Sequence, residues 1–494
     1  AARQVASALG TEAVDTDGLV EHRAGRPIPE LFATEGEPRF RELEREVVGE
    51  AVARGGVIAL GGGAVESREV RDALEGQVVV RCEVSEDVAW ERSRGTARPL
   101  ASDREEFARR FAARAPLYRE VSRAALPQGG PLTPELAAPW LELLRERPDL
   151  RLLWGFSAGG EYPVLVGEGA GDVLDEVDSS PARARLICIY DSDAVEAGVP
   201  LSAGVALKLG THGGEEAKTF ANAERLLSEM ARQGVLRDDV AVALGGGVVG
   251  DLAGFCAAVY QRGIGVVQVP TTLVAQVDSA YGGKTGVDLP EAKNYVGAYH
   301  QPLAVLADPE RLRTLPQPEL AAGFAEVVKT ALIAGGGLWE RVRAIESVDA
   351  EAMAGCVFDC AETKLAVVAD DERDGGRRKV LNLGHTVGHA IETATGYARY
   401  RHGEAVALGL LAALRLSGRG DLRDEVAALW ELAGLPVRLD SGVDPHGVIE
   451  ATAMDKKRTS EGLGFVLVRA PGEVVHDRPV NASQLRSAVE ELTA

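Results

Sequence analysis

Two histidines four residues apart in NLGHTVGHAIE, His385 and His389, share one face of a helix. That spacing suits two ligands to one metal ion, and it equally suits two ordinary helix-face histidines. A third imidazole, His402 of RYRHGEA, follows closely, so three of the chain's eight histidines lie between 385 and 402. FAEVVKT puts Glu326 and Lys329 three residues apart on another helix face, and RRKVLNLGH places Arg378 and Asn382 just before the first histidine. A carboxylate and imidazoles are donors for a divalent cation, and the lysine, arginine and asparagine are partners for anionic or hydroxylated oxygen.

A second set of groups stands at strand ends. AVALGGGVVGDLAGF (241–255) reads as a buried strand, a glycine turn and a helix. Glycine lets backbone approach a ligand, and the helix N-terminus offers free N–H groups to a pyrophosphate. The sequence does not match G-x-G-x-x-G, so a standard dinucleotide fingerprint is absent, and a plain strand–helix turn is the competing reading. VPTTLVAQVDSAYGGKTGVD (269–288) adds Thr271, Thr272, Asp278 and Lys284, and KNYVGAYHQP adds Lys293 and Asn294. Sites in open α/β sheets lie beyond the carboxyl ends of the strands, where these loops fall.

The elements that position these residues follow from the apolar pattern. YPVLVGEG, ARLICIYDSD, VALKLG, DDVAVALGGG and IGVVQVPTT are strand-like. From about 308 long helical periods take over: PELAAGFAEVVKTALIA, AETKLAVVADDE, HTVGHAIETATG and EAVALGLLAALRLSG. Upstream, GGVIALGGGAV (55–65) and QVVVRCEV (77–84) are strand-like within an alternating pattern that implies a parallel sheet flanked by helices. PQGGPLTP opens a Pro/Gly-rich break before a short helical run. These shifts predict blocks at 1–128, a linker at 129–160, an α/β block at 161–307 and a helical block at 308–494.

Composition narrows the classes. At 46% hydrophobic and 26% charged the chain is ordinary globular material. A net charge of -21 repels phosphate backbones at long range and argues against nucleic acid as a partner, so an anionic metabolite would need local basic clusters. No apolar run long enough for a transmembrane helix predicts no membrane partner, and AARQVASALG lacks the pattern of a signal peptide. Five scattered cysteines without a C-x-x-C pair read as reduced core thiols of a cytoplasmic protein.

GGGVVGDLAGF, PTTLVAQVDSAYGGKTGVD, KNYVGAYHQP, FAEVVKT and NLGHTVGHAIE, in this order and spacing, resemble 3-dehydroquinate synthase from about residue 161 to the end. The resemblance implies a Rossmann-like α/β NAD domain followed by a mainly α-helical metal- and substrate-binding domain. It implies Zn2+ or Co2+ held by Glu326, His385 and His402, one ion per site. It implies NAD contacts at Asp191, Glu215, Lys218, Gly246, Gly247, Asp251, Thr271, Thr272, Lys293, Thr314 and Glu319. It implies a catalytic and substrate set of Asp278, Lys284, Lys329, Lys364, Arg378, Asn382, His389 and one of Lys456 and Lys457. His389 thereby goes to the substrate, against the ligand pair that spacing alone suggests. One departure is Asp193, where the family often has Asn, near the adenosine end of NAD. The implied reaction takes 3-deoxy-D-arabino-heptulosonate 7-phosphate to 3-dehydroquinate and phosphate, in the shikimate pathway of aromatic amino acid biosynthesis. It runs by transient oxidation of a ring hydroxyl, β-elimination of phosphate, hydride return, ring opening and intramolecular aldol closure. The resemblance also implies a homodimer through this part.

The first third resembles shikimate kinase over about 1–128, through DTDGLVEHRAGRPIPELFATEGEPRFRELE (15–44), GGG (61–63), RPL (98–100) and RAPLY (114–118). The likeness implies a parallel P-loop-kinase-like α/β block. It implies shikimate contacts at Asp17, Arg41, Gly62 and Arg114, with Asp15 toward magnesium and Arg98 toward ATP. The G-x-x-x-x-G-K-[ST] phosphate loop is not found in these residues, so Mg2+ and ATP are expected only with an intact kinase domain, and the block reads as truncated and without kinase activity. The rival readings are an iron-type polyol dehydrogenase, another sugar-phosphate cyclase, and a scaffold that only binds metabolites.

Overall fold

In a computed structural model the protein is described over residues 2–94, 103–127, 134–175, 184–202, 204–456 and 464–493. Two compact units divide the chain, Ala1–Trp154 and Gly155–Ala494.

The first unit is parallel α/β. Strands β1 (Ala13–Asp15) and β2 (Val57–Ala59) pair in parallel, as do β3 (Val80–Glu83) and β4 (Ala124–Pro127). Strand β5 (Arg151–Ser157) carries the chain onward and pairs with β4 through Leu152 and Leu153. Val20, Leu31, Phe40, Leu43 and Val47 form a small core between the helices Thr16–Ala24 and Ile28–Arg54. Within the stretch expected as a linker, residues 134–146 form a helix.

The second unit holds β6 (Gly160–Val166), β7 (Leu186–Asp191), β8 (Val205–Thr211), β9 (Val240–Gly245) and β10 (Gly265–Pro270). It continues with β11 (Lys284–Leu289), β12 (Ala292–Tyr299) and β13 (Ala304–Ala307). Six of these lie in the order β6-β13-β10-β9-β7-β8, all parallel. Every residue of β9 is buried, as a central parallel strand covered on both faces requires. β11 and β12 form an antiparallel hairpin.

Helices follow: Gln317–Ala334, Ala350–Asp370, His385–Ala394 and His402–Leu416 among others. A hairpin of β14 (Phe465–Ala470) and β15 (Glu473–Arg478) interrupts the helical pattern expected there. Among the described residues no helix is long and apolar enough to cross a membrane. All five cysteines are free. Four are buried, but Cys82 is exposed, which corrects the reading of all five as core thiols: it lies in the exposed last two residues of a short strand.

Candidate active site

Three helices bring the metal donors together, and glycine sets how closely. A Cβ on Gly403 would overlap the Ala322 carbonyl, and one on Gly409 would overlap the Gly384 carbonyl. The backbone of His402–Leu416 therefore lies directly on Gln317–Ala334 and on the start of His385–Ala394. His385 and His402 each open their helix. The N–H of Arg401 donates to the Glu404 carboxylate at 2.7 Å, fixing the start at His402.

Glu326, His385 and His402 place one donor atom each within 4.8 Å of one another. Oε1 of Glu326 lies 3.6 Å from His385 Nε2 and 3.5 Å from His402 Nε2. Glu326 is fully buried, and among the described residues neither carboxylate oxygen has a hydrogen-bond partner. Lys329 Nζ stands 2.5 Å from Oε2 as a buried ion pair. Burial works against the charge on Glu326, and Lys329 and the two imidazoles outweigh it, so the carboxyl stays ionised well below its ordinary range. Burial pushes His385 down to about 3 and keeps it neutral, the state a metal ligand needs. Burial also opposes charge on His402, but Glu326 and Glu392 prevail and raise it to about 10 in the metal-free protein.

The cationic groups close in from other elements. Asp278, in a π-helical turn Ala275–Ser279, pairs with Lys364 Nζ at 2.8 Å through its carboxylate, accepts from the same Nζ through its backbone carbonyl, and lies 3.8 Å from Lys329 Nζ. Burial would raise Asp278, and the two lysines hold it below its usual value. Lys364 is lowered by its own burial despite Asp278. Buried Arg378 donates to the Gly282 carbonyl at 3.1 Å and to the Glu372 carbonyl, and Lys284 pairs with Asp374. Asn382 and His389 are exposed, and the His389 ring lies 5.2 Å from that of His385 and 5.9 Å from that of His402.

The residues expected on the nucleotide side lie past the ends of β7, β8, β9 and β10 and in β12. After β9, Gly246 leads into the helix Gly247–Val259, whose first turn has no side-chain cap. A Cβ on Gly246 would crowd Thr272, and one on Gly247 would come 2.8 Å from Ser279 Oγ, a buried hydroxyl with no partner among the described residues. Thr271 is buried, and its N–H donates to the Gly245 carbonyl. Lys218 Nζ donates to Asp251 at 2.6 Å and to Asn294 at 2.5 Å. Asp191 caps the helix Ser192–Glu196, and Asp193 accepts from the Gly213 N–H at 3.3 Å. A cavity of about 390 Å³ opens beside them, lined by Ser192, Thr211, His212 and Arg225 among others. Lys293 Nζ lies 3.7 Å from Glu215 and 4.5 Å over the Tyr397 ring.

Of two further residues expected at the cofactor, Thr314 donates to the Arg311 carbonyl and Glu319 pairs with Arg401 at 2.7 Å. Lys457 and Arg98 lie outside the described residues, as does the side chain of Lys456. Glu392, Glu372 and Asp374 were not singled out from sequence. Glu392 carried a signal, since it lies seven residues after His385 on the same helix face.

In the first unit, Arg41 pairs with Glu44 at 2.7 Å, Glu37 at 3.1 Å and Glu66 at 3.3 Å, and Arg114 pairs with Glu66 at 2.8 Å. Tyr118 donates to the Gly62 carbonyl at 2.5 Å. A Cβ on Gly61 would come within 2.7 Å of Asp17 and 2.9 Å of Glu44. Asp15 caps the helix Thr16–Ala24.

Residues 208–322 match the family described as 3-dehydroquinate synthase N-terminal, 323–458 the 3-dehydroquinate synthase C-terminal family, and 1–144 shikimate kinase. The 3-dehydroquinate synthase of Halorhodospira halophila is 43% identical over 66% of this chain and 95% of its own length. That of Symbiobacterium thermophilum is 41% identical over 67% and 98%. A solved 2-deoxy-scyllo-inosose synthase, complexed with carbaglucose-6-phosphate, NAD+ and Co2+, is 27% identical with TM-score 0.59, covering 69% of this chain and 99% of its own. The 2-epi-5-epi-valiolone synthase from Streptomyces hygroscopicus, with NAD+ and Zn2+ bound, has the same identity of 27%, TM-score of 0.59 and coverage of 69% and 99%. With close-packed helices converging on Glu326, His385 and His402 and this degree of kinship, the chain belongs to the 3-dehydroquinate synthase family and carries a shikimate kinase domain ahead of it.

Proposed function

We propose that the second unit performs the family reaction on 3-deoxy-D-arabino-heptulosonate 7-phosphate with one divalent ion, zinc or cobalt, and NAD. The observation that carries this reading is Glu326: a fully buried carboxylate without hydrogen bonds among the described residues, facing two imidazole Nε2 atoms. Lys329 meets Oε2, and Oε1, turned to the two imidazoles, is the oxygen left for a further cation to complete. When bound, the ion supplies Lewis-acid polarisation and NAD supplies reversible hydride acceptance. Glu326, His385 and His402 are the ligands, and three protein ligands leave positions for substrate hydroxyls. Gly246, Gly247 and the uncapped helix start receive the pyrophosphate, with Thr271, Thr272, Lys218, Asp251, Asp191, Glu215 and Lys293 around the rest of the nucleotide.

Asp278 holds Lys329 and Lys364 at the substrate, and the lowered Lys364 can give or take a proton at Nζ. Arg378, Lys284 and a lysine of 456–457 serve the carboxylate and phosphate, while His389 and Asn382, exposed beside the metal donors, hold the departing phosphate. The substrate choice is supported by 41–43% identity to proteins named 3-dehydroquinate synthase against 27% to the two other cyclases, and by the kinase domain of the same pathway. Shikimate is the ligand proposed for Asp17, Arg41, Gly62 and Arg114 in the first unit. The family supports a homodimer, and the free cysteines support a cytoplasmic location.

The test is phosphate release from the heptulosonate phosphate with trace NAD. Multiple turnovers without net NADH are expected, and stoichiometric NADH would replace this reading with a dehydrogenase.

A further inference from the structure

An imidazole that gives one nitrogen to a metal keeps its proton on the other, and that N–H needs an acceptor. His385 has one in the backbone: its Nδ1 lies 3.2 Å from the Leu383 carbonyl while Nε2 faces Glu326. Among the described residues His402 has no such carbonyl. Its Nδ1 lies 3.4 Å from Oε1 of Glu392, and its Nε2 faces Glu326 from the other side of the ring. Glu392 is only 5% exposed, and a carboxylate buried so far stays ionised only beside positive or N–H partners. It has a second one: Lys293 Nζ, from β12, lies 3.9 Å from the same oxygen.

Resting on the metal reading above, we propose that Glu392 is a positioning residue: it accepts the Nδ1 proton of His402, which fixes the tautomer and aims Nε2 at the ion shared with Glu326 and His385. Lys293 Nζ approaches that same oxygen, so one oxygen ties the nucleotide-side hairpin to a metal ligand. His389, Glu392 and His402 also place donor atoms within 4.8 Å of one another, so Glu392 as a direct ligand is the competing arrangement. The orientation of His402 favours the first, because the nitrogen facing Glu392 is the one turned away from Glu326.

The experiment uses the full chain stripped of metal, with zinc titrated against a chromophoric chelator and cobalt followed by its visible absorption. Glu392→Gln should weaken zinc binding by about 10–100-fold and leave the cobalt bands in place. Glu392→Asp should recover part of the loss. In a His402→Ala background Glu392→Gln should add nothing, because the residue acts only through that imidazole. Wild-type zinc affinity in Glu392→Gln overturns the proposal, as does an equal loss in the His402→Ala background. A shifted cobalt spectrum overturns it in favour of direct ligation. A wild-type chain that takes up no zinc sinks the metal reading itself, and this inference with it.

Discussion

The two units hold their charged groups in opposite ways. Around Glu326 the charges are buried and incompletely met: among the described residues both of its oxygens lack hydrogen bonds, as does Ser279 Oγ by the glycine turn. In the first unit Arg41 spreads over Glu37, Glu44 and Glu66, and Arg114 shares Glu66. A ligand arriving at the first site relieves a debt already incurred in folding. A carboxylate arriving at the second must displace one that is in place. Pre-organisation therefore favours metal binding in the synthase unit, whereas a ligand proposed for the kinase-like unit would have to bind by exchange.

The largest effects should come from the unmet charges. His385→Ala should leave the chain without its ion and phosphate release below detection. His389→Ala should keep about one ion per chain while turnover falls about 10²–10⁴-fold, the range for a lost proton-handling contact. Metal content of the two purified variants decides between them, and equal loss would restore the i, i+4 ligand pair that spacing alone suggests.

A smaller effect should follow from the close helix packing. Gly409→Ala pushes a methyl into the Gly384 carbonyl, one residue before His385, and should cost about 1–3 kcal/mol with weaker zinc binding. Gly355→Ala, in a helix with nothing within 4 Å, should instead stabilise by up to about 1 kcal/mol. Thermal melting of both variants, with zinc titration of the first, separates packing from propensity. An unperturbed Gly409→Ala would mean that glycine contact does not set the site.

The strands, the helices and the order of their charged residues were legible because period and turn chemistry are local. The convergence of His402 with Glu326 was not. An apolar stripe says which face of His402–Leu416 is buried, and only the family resemblance said against what. Gly403 and Gly409 look like ordinary helix glycines until the Ala322 and Gly384 carbonyls beneath them are known. In the first unit Glu44, three residues after Arg41, could have been read as its partner, but Glu66 is twenty-five residues away and only the fold brings it there. Thr314 and Glu319 came from the resemblance alone, and their side chains here meet the Arg311 carbonyl and the Arg401 guanidinium.

Titration should separate the two units further. Glu44 is raised, since burial outweighs Arg41, so its stabilising contribution is present below its unfolded value and is lost as pH rises through the folded one. Asp278 is lowered by Lys329 and Lys364 against its burial, so its contribution is present at neutral pH and is lost only as pH falls through a value below the ordinary 3.8. Between pH 7 and about 4.5, wild type should gain stability relative to Glu44→Gln and hold constant relative to Asp278→Asn. Denaturant unfolding across that range, followed by hydrogen exchange in the helices Ile28–Arg54 and Gln317–Ala334, reads each unit separately. A flat Glu44→Gln difference would put the arginine, not burial, in control there.

The smallest expected effect tests the exchange picture directly. Glu66 is 40% exposed on its side chain, while Arg41 and Arg114 around it are largely shielded, at 17% and 19% exposed. Ion pairs this open are worth about 0–1 kcal/mol, so Glu66→Gln should hardly move the melting temperature. Glu44 differs, because its side chain is only 3% exposed and its loss would leave Arg41 without its innermost partner. If Glu66 occupies the place that a substrate carboxylate takes between the two arginines, removing its charge spares an incoming acid the work of displacing it. Shikimate binding by calorimetry should then tighten by up to about fivefold, the equivalent of about 1 kcal/mol. Salt should weaken binding more steeply in the variant, since both arginines are then open to the ligand and to screening ions. Unchanged or weaker shikimate binding in Glu66→Gln would show that the carboxylate supports the pocket instead of filling it, and the contrast between the two units would reduce to burial alone.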